Sequence, residues 1–558
     1  MERLKGWLRW IFTRGLCFGG LVGALIFFVV SISPSLLPRG WFFQAIVSGI
    51  SIVIGYGIGS MVSAIARRFD PPEPGPETKR WFWWGLLAVT VIGVPLALWW
   101  GNAWNQNTRE LMGMEDLDTW AWGGVLLLGL AVAAVILVIS RVIRLAARGV
   151  RHLAERWLGP KVSMAVGAVV TAVLVIFLIN GVLLDAAFEA VNSTYSLTDR
   201  GTTPGIVQPQ SELRSGSEAS LVDWDTLGVQ GRNFTGDGAG TEKRRGPAAA
   251  DIERFSGEPA EEPIRVYVGL RSAGSLDQRV DLAMQELERT NAFERKVLAI
   301  YGTTGTGWID ERVADSLEYI WDGDTAAVGL QYSYLPSWVS VLVDAEKAAD
   351  ASTAMIEAVE ARVEEMPEDG RPRVVLFGES LGSFATESAF EDLDDMVAST
   401  DGALLVGPTF GNDLRNHFTD RRDEGSPEWR PVFEEGDEVR FAVEPDDFDQ
   451  PAGPWDEPRI AYLQNSSDPI SFFSFDLLWS RPDWLDEPRA PDANPDMFWF
   501  PVVTFWQMVA DLAYSFGAPA GHGHRYGANV VDGWLAVETP DGWTDDDTQR
   551  LRDIVGHE

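Results

Sequence analysis

Apolar positions follow two regimes along this chain. Up to about residue 190 they form long unbroken stretches, at 16–31, 41–65, 81–100, 120–140 and 162–184. Most reach the roughly 20 residues an α-helix needs to cross a bilayer. Tryptophans mark several edges (Trp41, Trp81, Trp83, Trp84, Trp99, Trp100, Trp104, Trp120 and Trp122), as expected where an amphipathic ring meets headgroups. Beyond residue 262 the apolar runs shorten and alternate with segments of helical spacing. Strands are predicted at 264–270, 296–301, 326–332, 374–377, 403–406 and 460–464, and helices at 277–290, 310–321, 339–365 and from 381. Such alternation predicts an α/β domain, a mostly parallel sheet covered by helices on both faces. Residues 191–262 are rich in Gly, Ser, Pro and charge without sustained period, and read as a linker or wrapping segment. The expected organisation is therefore a five-helix transmembrane domain over 1–190, this linker, and an α/β domain over 263–558. Charged, proline-rich sequence at about 411–458 interrupts the alternation as an insertion that roofs the site.

Charge sharpens the division. The first 190 residues hold 16 Lys and Arg against 11 Asp and Glu, a net of +5; the rest hold 29 against 70, a net of −41. An acidic domain excludes a nucleic-acid partner, which needs a basic surface. Within the apolar half, basic residues cluster in alternate segments: Arg3, Lys5, Arg9 and Arg14; then Arg67, Arg68, Lys79 and Arg80; then Arg141, Arg144, Arg148, Arg151, Arg156 and Lys161. The segments between them carry only Arg39, or Arg109 against Glu110, Glu115, Asp116 and Asp118. With basic segments inside, five crossings put the N-terminus in the cytoplasm and everything after about 185 outside the plasma membrane. No small-x-small cleavage site follows the first stretch, so it reads as a membrane helix rather than a signal peptide. Cys17 is the sole cysteine, which excludes a disulfide within the chain.

The chemistry centres on Gly378-Glu379-Ser380-Leu381-Gly382, directly after the run Val374-Val375-Leu376-Phe377. A buried strand that breaks at Gly-x-Ser-x-Gly and enters a helix is a nucleophile elbow. A serine hydroxyl needs a histidine to take its proton and an acid to orient that histidine, in the order Ser, acid, His for this elbow. Among five histidines, His152 falls in a cytoplasmic link, His417 precedes the acid and His557 is next to the last residue. His522 and His524 remain, in the glycine-rich run Ala520-Gly521-His522-Gly523-His524-Arg525-Tyr526, and either suits the role. Asp468, in a polar turn after the strand at 460–464, is the expected acid; Asp446, Asp447 and Asp449 are alternatives in an acidic run. Oxyanion donors are expected from the Leu381 N–H and from the loop after an earlier strand, at Thr303, Thr304 or Gly305. That loop lacks the Gly-Lys-Ser/Thr ending of a phosphate-binding loop, and His-x-His supplies only two ligands, so neither a cofactor nor a metal is expected.

Ser35-Leu36-Leu37-Pro38-Arg39, Thr304-Gly305-Thr306-Gly307-Trp308, the elbow, Ser467-Asp468-Pro469 and Gly521-His522-Gly523-His524 together resemble the actinobacterial membrane-anchored α/β-hydrolases, in which a helical N-terminal domain precedes the catalytic one. The resemblance covers most of the chain and implies the α/β-hydrolase fold with a serine-hydrolase site at Ser380. It leaves open which histidine is the base. The expected function is a serine esterase or lipase acting on a lipid or lipid-linked envelope ester. The helices tether it to a bilayer, and the stretch containing Trp455, Phe472, Phe473, Trp479, Trp484, Phe498 and Trp499 is rich in aromatics. Acyl transfer through the same triad, and a non-catalytic envelope scaffold, are the rival expectations. A transporter is disfavoured, because only Asp185 and Glu189 come near the interior of the apolar stretches.

Overall fold

A computed structural model describes residues 16–69, 74–117, 121–155, 169–170, 193, 195–238 and 246–556. The chain divides into two compact units, residues 1–189 with 473–517, and 190–472 with 518–558.

The first unit is helical: α1 (Phe18–Ser31), α2 (Trp41–Ala66), α3 (Pro76–Leu111) and α4 (Ala121–Ala154). Glycines set the closest packing. A Cβ on Gly23 would lie 2.2 Å from the Gly55 carbonyl oxygen, and one on Gly59 would lie 2.1 Å from that of Gly19. Two small-xxx-small stripes thus let α1 and α2 meet backbone to backbone. Among the described residues three helices, not the expected five, are long and apolar enough to cross a membrane: Trp41–Phe69, Pro76–Leu111 and Trp122–Gly149. The helix α1 has only 14 residues, about 21 Å against a hydrocarbon core of about 30 Å. The fifth expected stretch, 162–184, lies outside the described residues.

Residues 473–517 leave the α/β domain and join this helical unit. Their helix Val503–Tyr514 carries Asp511, fully buried against the loop between α1 and α2. Ser35 Oγ and the Leu37 N–H donate to the Asp511 carboxylate, and the Arg39 guanidinium stands 3.7 Å away. Gln507 Nε2 donates to the Ser33 carbonyl at 3.0 Å. Asn494 Nδ2 donates to the Trp104 carbonyl at 3.1 Å and to Thr108 Oγ1 at 2.9 Å. The run Ser35–Arg39 is thus a polar socket for an aspartate more than 470 residues away.

The second unit is built on seven strands: β1 (Ile264–Val268), β2 (Val297–Gly302), β3 (Thr325–Leu330), β4 (Arg373–Glu379), β5 (Gly402–Val406), β6 (Val439–Ala442) and β7 (Arg459–Leu463). All pair in parallel, in the order β1-β3-β2-β4-β5-β7-β6. Burial on both faces explains why the strands read as continuous apolar runs. The six expected strands appear within two residues at each end. The seventh, β6, comes from the segment 411–458 and carries the buried Arg440, whose guanidinium is spent on the carbonyls of Gly436, Phe448 and Pro454. At the opposite edge, residues 213–215 bond to Arg265 of β1 and cover it. Helices α5 (Leu276–Arg289), α6 (Glu311–Ile320), α7 (Ala345–Glu364), α8 (Leu381–Glu387), α9 (Asp413–Asp420), α10 (Asn529–Val537) and α11 (Asp545–Val555) follow in chain order. Of these, α5, α7 and α8 pack together on one face of the sheet and α6, α10 and α11 on the other.

Candidate active site

The order β2-β4-β5-β7 brings the carboxyl ends of four neighbouring strands together, each about 5 Å from the next. Ser380 follows β4 with φ 56° and ψ −122°, a conformation that costs a non-glycine residue on the order of 1–3 kcal/mol. Close packing holds it there. A Cβ on Gly378 would lie 2.4 Å from the Gly382 carbonyl oxygen, and one on Gly382 would lie 2.1 Å from that of Gly302. The Ser380 N–H donates to the Val406 carbonyl at the end of β5 (2.9 Å).

After β2 the chain turns through Thr303, Thr304 and Gly305. The Thr304 N–H is committed within the loop, to the Trp308 carbonyl at 3.1 Å, and the Gly305 N–H points to Ser337 Oγ at 3.4 Å. Thr303 is anchored through its hydroxyl to the Leu330 carbonyl at 2.7 Å, and its carbonyl carbon lies against Gly382. The Leu381 N–H heads α8, where the first amides of a helix lack intrahelical acceptors.

Asp468 lies in the turn after β7 and is 0% exposed; His524 is 1% exposed. Asp468 Oδ1 accepts from the Ile470 N–H at 2.8 Å, and Oδ2 meets both His524 Nδ1 and the Tyr526 hydroxyl at 2.6 Å. An ionised carboxylate only accepts, so Nδ1 carries a proton and Nε2 is the basic nitrogen. The two loops are laced together: the Gly523 N–H donates to Ser467 Oγ at 3.0 Å, and Asn465 Nδ2 donates to the carbonyls of Gly523 and Arg525 at 2.9 and 3.1 Å. Between the ends of β4 and β7 stands Gly407, after β5. A Cβ there would lie 2.7 Å from His524 Cε1. The imidazole therefore spans the end of β5, with the acid beyond it on β7 and the serine elbow bonded to β5 from β4.

The sequence left His522 and His524 open; the structure brings His524 to Asp468. His522 forms the adjoining turn, its N–H donating to the Pro519 carbonyl, and lines an open groove with Arg312, Arg525 and Glu444. His417 packs its ring on Phe418 and Phe433, His152 lies beside Glu155 on α4, and His557 is outside the described residues. Asp447 accepts the N–H groups of Val443 and Glu444 in the short turn that also holds Asp446 and Asp449. Among the described residues no cluster of His, Cys, Asp or Glu is arranged to hold a metal.

Sequence reasoning gave no role to three residues near Ser380, Asp468 and His524. Tyr526 braces Asp468; burial and then the neighbouring carboxylate push its phenol well above the usual range. Its position two residues after His524 was the available signal. Glu379, inside the elbow, is buried, and burial together with Asp310 holds its carboxyl well above the carboxylate range. Glu387, at the end of α8, accepts from Asn412 Nδ2, the N–H groups of Leu414 and Arg415, and the Tyr462 hydroxyl. Burial raises its pKa even so. That network ties the start of α9 to α8, the helix that follows Ser380.

Residues 264–551 match the Alpha/beta-hydrolase family, and residues 32–238 match the Alpha/beta-hydrolase family N-terminus. No curated protein and no solved structure matches the chain.

Proposed function

This chain belongs to the alpha/beta-hydrolase family, and from that premise we propose that it is a membrane-anchored serine hydrolase cleaving an acyl ester of a lipid or lipid-linked envelope substrate. The observation that carries this reading is the Asp468–His524 pair seated over Gly407, next to the Val406 carbonyl that holds the N–H of the strained Ser380. Ser380 Oγ attacks the ester carbonyl while His524 Nε2 takes its proton, and Asp468 steadies the imidazolium through Nδ1. The N–H of Leu381 and that of Thr303 hold the developing oxyanion, since Thr304 and Gly305 direct theirs elsewhere. His524 then returns the proton to the departing alcohol. Water, deprotonated by the same nitrogen, releases the acid and regenerates Ser380.

The membrane part of the reading rests on α2, α3 and α4 as crossing helices. The basic residues Arg67 and Arg68 just after α2, Lys79 and Arg80 in the first turns of α3, and Arg141 and Arg144 toward the end of α4 gather at one set of helix ends, which the positive-inside rule assigns to the cytoplasm. Residues 473–517 grip the other set, at Ser33, Arg39, Trp104 and Thr108. They are continuous at both ends with the hydrolase unit, so that unit belongs outside the cytoplasm. Asp468 stands five residues before Phe473, and His524 seven after Gly517. A lipid ester is the substrate class that suits an acid and a base so tethered.

Brief exposure of the full-length protein in liposomes to an ester lipid, followed by mass spectrometry, tests the reading. An acyl group on the peptide containing Ser380, accumulating in His524→Ala less than in wild type, is expected. Ester cleavage that persists in Ser380→Ala would sink it.

A further inference from the structure

Residues 473–517 display large rings on their surface: Phe475 is 60% exposed, Trp479 65%, Phe498 42% and Phe516 64%. Four exposed aromatics on one segment suit an apolar partner. The level of the segment along the helices identifies that partner. On α3, Trp83 and Trp100 are 17 residues apart, about 26 Å of helix, close to the hydrocarbon thickness. Trp104 and Thr108, which hold Asn494, therefore stand about 6 and 12 Å beyond the second tryptophan, in and just above the headgroups. Deeper contacts exist too. The Phe500 ring packs on Phe27 at 5.4 Å, one turn inside the end of α1, and Tyr514 meets Phe43 at 6.0 Å, near the start of α2. The segment thus reaches from the acyl boundary to the outer edge of the headgroup layer.

We propose that residues 473–517 lie in the headgroup layer of the bilayer crossed by α2, α3 and α4, with Trp479, Phe498 and Phe516 seated among lipids as an extension of the helices' own tryptophan belt. The proposal rests on the reading of those helices as membrane-crossing. It makes the stretch between the acid and the base an interfacial element, anchored from below by the Asp511 socket.

Nitroxide labels on single cysteines test it, in full-length Cys17→Ser protein reconstituted into phosphatidylcholine–phosphatidylglycerol vesicles. Val91→Cys on α3 reports the bilayer and the exposed Glu365→Cys reports water; Trp479→Cys, Phe498→Cys and Phe516→Cys report the segment. The expected result is collision with a water-soluble nickel chelate several-fold lower at the three segment positions than at 365, with oxygen collision raised toward that at 91. Water-like values at all three, with a bilayer value at 91, would overturn the proposal and leave the crossing helices standing. A water-like value at 91 would overturn both.

Discussion

A Cβ placed on Gly407 would lie 2.7 Å from Cε1 of His524 and 3.1 Å from its Nδ1. The imidazole rests on bare backbone at the end of β5, and Gly407 itself holds φ +54°. Alanine there pushes the ring off the line between Asp468 and Ser380. Gly407→Ala is expected to lower kcat about 100-fold, the cost of a displacement near 1 Å. The same Cβ would lie 2.7 Å from Tyr526 Cε2, so the stability loss should be about 2–5 kcal/mol, from the left-handed backbone and from overpacking of the two rings. Steady-state kinetics beside a thermal melt checks this; unchanged kcat would show that the ring does not need that surface.

Tyr526→Phe removes one of the two 2.6 Å contacts at Asp468 Oδ2. A hydrogen bond to a charged group contributes about 1.5–3 kcal/mol, so kcat should fall by roughly tenfold or more with KM little changed. A fall in KM-dependent terms alone would assign Tyr526 to substrate binding instead.

Much of this arrangement was legible in the sequence. Strand, elbow, acid and late histidine loop follow a fixed order, and each leaves a composition signal in an apolar run or a glycine cluster. The choice between His522 and His524 was not legible, because two histidines two residues apart in a glycine-rich loop carry no periodicity to say which one turns inward. The strand β6 was hidden because Arg440 interrupts its apolar run and is satisfied by carbonyls outside the strand. The role of Ser35–Arg39 was hidden for a related reason: its partner Asp511 sits on a segment flanked on both sides by the other unit. Length alone misled over α1, whose apolar stretch runs into the short polar turns at Ser33 and Ser35 that the socket requires.

Glu387→Ala strands four donors at the end of α8, those of Asn412, Leu414, Arg415 and Tyr462. Leaving buried polar groups unpaired costs about 1–3 kcal/mol for each group that water does not reach. The melting temperature of the full-length protein in detergent should drop by more than that of Tyr526→Phe. Equal melting temperatures would show that water replaces the carboxylate.

Burial pushes the Asp511 carboxyl up to about 6, although Arg39, Ser35 and Leu37 favour its charged form. The folded protein therefore holds this proton more tightly than an unfolded chain, whose aspartates titrate near 3.9. The stability it contributes is complete below about pH 4 and is lost as pH rises through about 6. The stability of wild type relative to Asp511→Asn should accordingly fall from about pH 4 to pH 7, read as the difference between melting curves. A difference that grows with pH would mean that the Arg39 ion pair outweighs burial.

The central claim is that Ser380 is a nucleophile activated by His524 and Asp468. Labelling by a fluorophosphonate probe in membranes containing the full-length protein tests it most directly. Wild type and His522→Ala should label alike, Ser380→Ala not at all, and His524→Ala and Asp468→Asn far more slowly. Labelling that survives in Ser380→Ala, or that is lost in His522→Ala and kept in His524→Ala, would contradict it.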